Sequence, residues 1–450
     1  MTTGHRLRAC TLGAFLILAA VPASATTGDL PALGPSVTVT RLPLGGTSIV
    51  QPAQGAPVAA VELWYRAPST GFGSKPVPAL ARLAAQVVAA SKPLIGDPLG
   101  KVVTDAGGRL AITVYSDSIS ISAVVPADAA RQVVKALTTS FFAPVVTQDG
   151  FRFAQRDVEQ EALISTFDPQ TVVRDAIFSQ LFTDGPQHYP ALGGPSDVNQ
   201  ISFADVKSFA ERAFRSQNAT LVISGDVEPT IAGAAVAGRP ATGGALDPEP
   251  ALTPALADIP APITKDFVEP SGGYGWVGPA ITSPREATAM DFIADFLFRS
   301  DDGFVTKQAG DRYPDSLLVG QFITLHDPGV MFVAFAGQDD DALKSLVDAG
   351  FARVQQPLEP AVFASALGAF KYHLLSDLQT PTEMADNFGW YTVEGAPDYA
   401  PGANGEHGVY FEAANSLTPE YVASVAQKYL GKAPVIVTLR PAVVRKTQSQ

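Results

Sequence analysis

The chain contains 450 residues, and its predicted elements occur in the same order in two successive halves. A segment rich in Pro, Ala and Gly, residues 228–262, separates the halves, and its prolines would interrupt any long helix, so we expect a linker there. Pro126 and Gly337, each ending a strand before a helix, are 211 residues apart. Ile201 and Leu417, each preceding a capped helix, are 216 residues apart. This nearly constant offset favours a duplicated unit.

The duplication predicts an α+β fold with two similar domains, over residues 38–227 and 263–441, followed by a polar tail at 442–450. Apolar runs and alternation predict the first-half strands at 59–65, 109–115, 118–125 and 219–225, and the helices at 77–90, 127–141, 147–165, 170–182 and 204–214. The corresponding second-half strands are at 275–281, 319–324, 330–336 and 435–439, and the helices at 284–299, 340–354, 359–376 and 382–393. Ser202 and Thr418 are predicted N-caps, the latter with Pro419 in the first turn. Two unrelated α+β domains that match by coincidence remain the alternative.

The first 25 residues have the three parts of a secretory signal peptide. Arg6 and Arg8 form a basic start, residues 12–21 are apolar, and Ala23-Ser24-Ala25 is a small-x-small cleavage site. Cleavage after Ala25 predicts an exported protein, and the Ala, Pro and Gly content favours a bacterial periplasm. A buried N-terminal helix is the alternative interpretation.

Charge and hydropathy exclude two classes of partner. The chain has 31 basic and 44 acidic residues, a net charge of −13, so it lacks the basic excess of a nucleic-acid binder. After the signal peptide, no stretch reaches the roughly 18 apolar residues that a membrane span needs. The lone cysteine, Cys10, leaves with the signal peptide, so an exported chain would depend on its hydrophobic core rather than on disulfides.

Several short segments, in the expected order, resemble the insulinase/pitrilysin family of zinc metallopeptidases. They are Leu80-Ala81, residues 156–161 with Asp168-Pro169, His188-Tyr189 with Gly193 and Gly194, residues 201–214, and residues 221–227. The resemblance extends over about residues 38–441. It implies two insulinase-type domains that face each other like a clamshell.

The zinc motif of that family, His-x-x-Glu-His, is degenerate in this chain. Arg82 stands at the first His position, Ala85 at the Glu position and Gln86 at the second His position. A guanidinium stays protonated and cannot bind zinc, and a methyl group cannot accept a proton. The third-ligand position corresponds to Glu161, or to Glu159 if the alignment slips. The resemblance therefore implies no bound metal, and Glu161 could pair with Arg82 instead; two solvated acids on an ordinary helix are the alternative.

The second half offers candidate substrate-binding residues by the same resemblance. An Arg and a Tyr of the family help to hold substrate near the zinc. Tyr313 corresponds to the Tyr, Lys307 to the Arg, and Arg312 could replace that Arg. A phenol at this place could donate a hydrogen bond to a peptide carbonyl. A solvated loop is the alternative.

These observations favour a non-catalytic insulinase-family subunit that binds peptide and pairs with an active zinc peptidase homologue in the periplasm. Zinc is then expected only in the partner. A second hypothesis is a stand-alone periplasmic binding or scaffolding protein with an acidic chamber. An active zinc metalloendopeptidase with an unorthodox site is the third.

Overall fold

The computed structural model describes residues 37–43, 45–237, 262–299, 302–326, 328–337, 340–399 and 408–441. The predicted signal peptide, most of the predicted linker and the polar tail lie outside the described residues. We call residues 37–237 the first half and residues 262–441 the second half.

The first half contains a six-stranded sheet whose central strands are fully buried. Its strands are β1 (Thr38–Arg41), β2 (Thr47–Pro52), β3 (Val58–Arg66), β4 (Arg109–Val114), β5 (Ser118–Pro126) and β6 (Ala219–Gly225). Their spatial order is β1-β2-β6-β3-β5-β4, and only β2 and β6 are parallel. The order leaves β4 as an edge strand, and its residues alternate between exposed and half-buried.

The second half repeats this topology with five strands. They are β7 (Ile263–Asp266), β8 (Ser271–Val277), β9 (Leu317–Ile323), β10 (Val330–Ala336) and β11 (Val435–Arg440). In the order β7-β11-β8-β10-β9, the last strand β11 pairs in parallel with β7, as β6 does with β2 in the first half, and the other pairs are antiparallel. The shared pairing order confirms the duplicated α+β unit that the sequence predicts.

Helices cover both sheets and complete the two main cores. Those of the first half are α1 (Leu80–Ala90), α2 (Leu99–Asp105), α3 (Ala130–Phe142), α4 (Gln148–Ser165), α5 (Pro169–Leu181), α6 (Pro195–Gln200), α7 (Phe203–Ala213) and α8 (Ile231–Val236). Those of the second half are α9 (Pro284–Phe298), α10 (Phe304–Arg312), α11 (Asp340–Val354), α12 (Pro360–Ser376), α13 (Pro381–Val393), α14 (Val409–Asn415) and α15 (Pro419–Leu430). Both predicted N-caps are confirmed: the hydroxyl of Ser202 accepts from the N–H of Asp205 at 3.2 Å, and that of Thr418 accepts from the N–H of Tyr421 at 3.2 Å.

Two of the segments that differ from the sequence-based expectation are helices. The first residues assigned to the linker form α8, which packs on α3 and buries Ile231 and Val236 in the core of the first half. The stretch 307–313, for which a solvated loop was the alternative, lies mostly in α10. Both helices are short, and no strong apolar periodicity marks them in the sequence.

Each half lends one helix to the sheet of the other half. Helix α5 packs on β8, β10 and β11 of the second sheet, and α13 packs on β3 and β6 of the first. Glycine residues permit the helices to approach the sheets closely. A Cβ atom at Gly275 would lie 2.1 Å from Cγ2 of Ile177, and one at Gly389 would lie 2.0 Å from Nε1 of Trp64. The strand predicted at 275–281 is present, but its bounds differ: β8 begins four residues earlier, at Ser271, in a Gly-rich stretch, and ends at Val277.

Candidate functional site

Helix α1 is buried on almost every side. Eight of its eleven residues are buried, and the polar exceptions, Arg82 and Gln86, lie one turn apart on one face. Ala79, which precedes the helix, has φ 66°, the one positive φ of a non-glycine residue in the described ranges. Helix α1 is therefore apolar except for one polar stripe, which Arg82 and Gln86 form.

Helix α4 brings the third residue of the site to this stripe. Its buried residues recur every four positions and are small or β-branched: Gly150, Ala154, Val158 and Ala162. They allow α4 to pack closely on α1. Thr147 caps the helix, because its hydroxyl accepts from the N–H of Gly150 at 3.1 Å. Glu161 lies beside the packed row and faces α1.

The guanidinium of Arg82 joins the three side chains. Nη2 of Arg82 lies 2.7 Å from Oε2 of Glu161, and Nη1 donates to Oε1 of Gln86 at 3.0 Å. The side chain of Arg82 is only 11% exposed, whereas that of Glu161 is 39% exposed. Ala85 is fully buried in the core and does not contribute to the polar stripe. Glu159 accepts instead from Nδ2 of Asn199 at 2.7 Å, so Glu161 is the acid at this site.

These residues do not fit a zinc ion. A permanently protonated guanidinium occupies the space between Gln86 and Glu161, and one carboxylate with one amide oxygen is not a zinc-ligand set. Within the described residues there is no group of three or more His, Cys, Asp or Glu suited to a metal ion. The described histidines have separate surroundings: His188 contacts the carbonyl of Phe182, His326 that of Glu394, and His373 the carboxylate of Asp295. His407 lies outside the described residues.

The predicted substrate-binding residues lie on or next to a helix of the second half. Lys307 and Arg312 are exposed on α10, and Tyr313, which ends that helix, packs against the second core. Helix α10 packs on α9, α11 and β9. Among the described residues, no hydrogen bond or ion pair joins α10 to Arg82 or Glu161, so the role of these three residues in substrate binding stays a prediction.

Comparison with solved structures identifies the architecture. A protease from Helicobacter pylori superimposes with a TM-score of 0.78 at 17% identity, over 90% of this chain and 100% of that chain. A putative M16-like peptidase from Alicyclobacillus acidocaldarius gives 0.73 at 15% identity, over 91% of this chain and 100% of that one. A peptidase M16 inactive domain from Pseudomonas fluorescens gives 0.73 at 17% identity, over 90% and 98%.

The fold is that of the M16-like peptidases. M16 is the designation of the insulinase/pitrilysin group, so the resemblance noted in the sequence is confirmed at the level of the fold. No family model matches the sequence, and no curated protein shows significant sequence similarity to it. No helix in the described ranges is both long and apolar enough to cross a bilayer.

Within this M16 fold, a cavity of about 340 Å³ lies between the two halves. Its walls include Tyr115 of the first half and Trp390 of α13, whose rings meet edge to face at 4.7 Å between centroids. Arg174 of α5 also lines it and pairs with Asp175 at 3.0 Å. Burial raises the pKa of Asp175, and Arg174 opposes that effect. No motif marks these residues in the sequence, because the exchange of α5 and α13 is what brings them together.

Proposed function

We propose that this chain is a non-catalytic M16-type subunit. The observation that carries the proposal is the ion pair between Arg82 and Glu161, which lies where the resemblance to zinc peptidases puts the metal. The guanidinium supplies the positive charge beside Glu161 that an ion would supply, but it can neither bind water as a Lewis acid nor lower the pKa of that water. The structural neighbour from Pseudomonas fluorescens, described as an inactive M16 domain, is compatible with this proposal.

The exposed edge of the first sheet supports peptide binding as the activity of this subunit. Strand β4 is an edge strand, with Arg109, Ala111 and Thr113 exposed. An edge of this kind can accept an extended peptide as an additional strand, and main-chain hydrogen bonds would then supply affinity without sequence specificity. The net charge of −13 favours a peptide with basic residues.

Pairing and location complete the proposal. The partner would be an active homologue that carries His-x-x-Glu-His and the zinc ion, and both chains would act in the periplasm after removal of residues 1–25. Capture of the tagged chain from its own periplasm tests this directly. Recovery of such a homologue supports pairing, and recovery of only unrelated proteins supports the alternative of a stand-alone binding or scaffolding protein.

Restoring the two missing histidines tests the assignment of the zinc position. The double variant Arg82→His/Gln86→His places two imidazoles at i and i+4 opposite Glu161, and we expect it to bind about one zinc per chain. Ala85 is left unchanged because a Glu at this fully buried position would strain the core. The readout is metal analysis after dialysis, so it does not depend on activity.

Two matched controls make the result specific. Adding Glu161→Ala to the double variant should abolish zinc binding, whereas adding Glu159→Ala should preserve it, because Glu159 interacts with Asn199. The unmodified chain should bind no stoichiometric zinc and cleave no peptide. Chelator-sensitive proteolysis by the unmodified chain, lost in Glu161→Ala, would overturn the proposal.

A further inference from the structure

Two pairs of acidic side chains cross the contact between α13 and the first sheet. In the first pair, Glu62 of β3 lies within hydrogen-bonding reach of Asp386 of α13. In the second pair, Asp117, in the turn between β4 and β5, lies within reach of Glu394, which follows α13. Each pair has one member from each half. Two carboxyl groups can form such a hydrogen bond only when one of them carries a proton.

The first pair is deeply buried on the side of the sheet. Glu62 has no exposed surface, and its carboxyl oxygens accept from Nε1 of Trp64 at 2.8 Å and from the hydroxyl of Ser122 at 3.0 Å. Asp386 lies at the solvent edge of the contact. The hydrogen bond with Asp386 raises the pKa of Glu62 and lowers that of Asp386, so Glu62 is the member of the pair that donates the proton.

Among the described residues, the groups that act most strongly on the first pair include no cation. The other titratable groups that face it are Glu383 of α13 and the phenol of Tyr115. Burial, reinforced by the negative charge of Asp386, raises the pKa of Glu62 to about 8. Burial likewise raises the pKa of Tyr115, to about 12, so the phenol stays neutral.

The second pair is also buried, but a cation lies nearby. Asp117 is 3% exposed and Glu394 1% exposed. Oε2 of Glu394 accepts from the backbone N–H of His326 at 2.7 Å. Burial raises the pKa of both acids, and the charge of Arg66 opposes this, with a smaller effect of His326 on Asp117. One positive guanidinium can balance one carboxylate, so the other carboxyl needs a proton to remain buried.

We propose that these two pairs form a proton-dependent latch between the halves: α13 stays docked on the first sheet while one carboxyl of each pair is protonated, and it loosens when both ionise. The direction of the pH dependence is set by the difference in proton binding between the docked and undocked states. The docked state retains a proton on Glu62 that an exposed glutamate would release above its ordinary pKa of 4.5, so docking is strongest below that pH. It weakens as the pH rises toward about 8, and beyond that value it changes little further.

The contact contains its own reporters. The chain has three tryptophans, and two of them, Trp64 and Trp390, meet at this contact with ring centroids 6.4 Å apart. Trp276 lies in the core of the second half. The variant Trp276→Phe therefore limits intrinsic tryptophan fluorescence to the latch.

The test is amide hydrogen exchange of residues 381–393, together with fluorescence of the Trp276→Phe variant, between pH 6 and pH 9. After correction for intrinsic rates, we expect exchange in α13 to rise at least about tenfold over this interval, with a parallel change in fluorescence. The double variant Glu62→Gln/Glu394→Gln keeps amide donors that cannot ionise, so its exchange should be nearly independent of pH. Asp386→Asn, at the solvent edge, provides a second variant in case the buried pair of substitutions prevents folding.

Asp291 supplies the matched control. It is a buried carboxyl of α9 whose pKa burial raises to about 7, and it accepts from the hydroxyl of Tyr410 at 2.8 Å within the second half. Asp291→Asn should leave the pH dependence of α13 unchanged. The latch is refuted if α13 of the unmodified protein exchanges at a pH-independent corrected rate, or if the Gln double variant and Asp386→Asn both retain the full rise.

Discussion

The substitution Gly275→Ala tests whether the packing of α5 on β8 outweighs the local strand preference of residue 275 in its effect on stability. Considered alone, alanine in a strand interior should be at least as stable as glycine, because glycine loses more backbone entropy on folding. In the folded chain the new Cβ would lie 2.1 Å from Cγ2 of Ile177 on α5. Carbon atoms in contact are normally about 3.5–4.0 Å apart, so α5 or β8 must move by more than an ångström. Ile177 is fully buried, so the added methyl group would overpack this contact, and we expect a loss of about 1–3 kcal/mol.

A second substitution on α5, Ile177→Ala, should compensate for the added methyl group at residue 275. Ile177→Ala alone removes buried carbon atoms and should cost about 2–5 kcal/mol. In the double variant, the methyl group at 275 no longer meets Cγ2 of Ile177 and fills part of the space left behind. The double variant should therefore be less destabilised than the sum of the single variants, by about 1–3 kcal/mol.

Urea unfolding followed by circular dichroism measures these free energies. Gly368→Ala is the matched control, because a Cβ at this position of α12 has nothing within 4 Å and should stabilise the chain by up to about 1 kcal/mol. If Gly275→Ala stabilises the protein as the control does, or if the two substitutions are additive, α5 does not pack on β8 as described.

Two further predictions use the same unfolding assay. Ser202→Ala should cost about 1 kcal/mol, because the hydroxyl caps α7, and Ser202→Gly should cost clearly less; equal losses would contradict a capping role. Glu161→Ala should destabilise the chain by about 1–2 kcal/mol, since it leaves the mostly buried guanidinium of Arg82 without its carboxylate, whereas Arg82→Met should be nearly neutral. A larger loss in Arg82→Met than in Glu161→Ala would contradict this account of the pair.

The predictions that succeed are those that depend on local chemistry. The cap at Ser202 and the helix start at Thr418 are specified by neighbouring residues, and β10 is a continuous apolar run, so each is recognisable in one short window. The beginning of β8 is not, because Gly273 and Gly275 are required by a helix that comes about a hundred residues earlier in the chain. Local strand preference argues against a strand in Ser271-Gly272-Gly273, and the packing of α5 overrides it.

The site divides in the same way. The pairing of Arg82 with Glu161 could be anticipated, because the resemblance to a known family supplies the distance in sequence between the two helices that carry them. No resemblance or motif in the sequence indicated the two carboxyl pairs between the halves. Glu62 and Asp386 come from different halves, and only the exchange of α13 brings the buried carboxyl of Glu62 together with Asp386 at the solvent edge.

The packing of α1 on α4, which positions the candidate site, does not depend on which polar side chains form that site. Helices α1 and α4 meet through small apolar residues, and Ala85 belongs to that buried surface, whereas Arg82, Gln86 and Glu161 lie on its polar margin. A metal would bind to that margin rather than hold the helices together. Arg82 and Gln86 are therefore compatible with this packing, because the guanidinium pairs with the carboxylate of Glu161. We therefore expect Arg82→His and Gln86→His to create a zinc site with Glu161 and to leave the fold intact, as metal analysis and circular dichroism of the double variant would show.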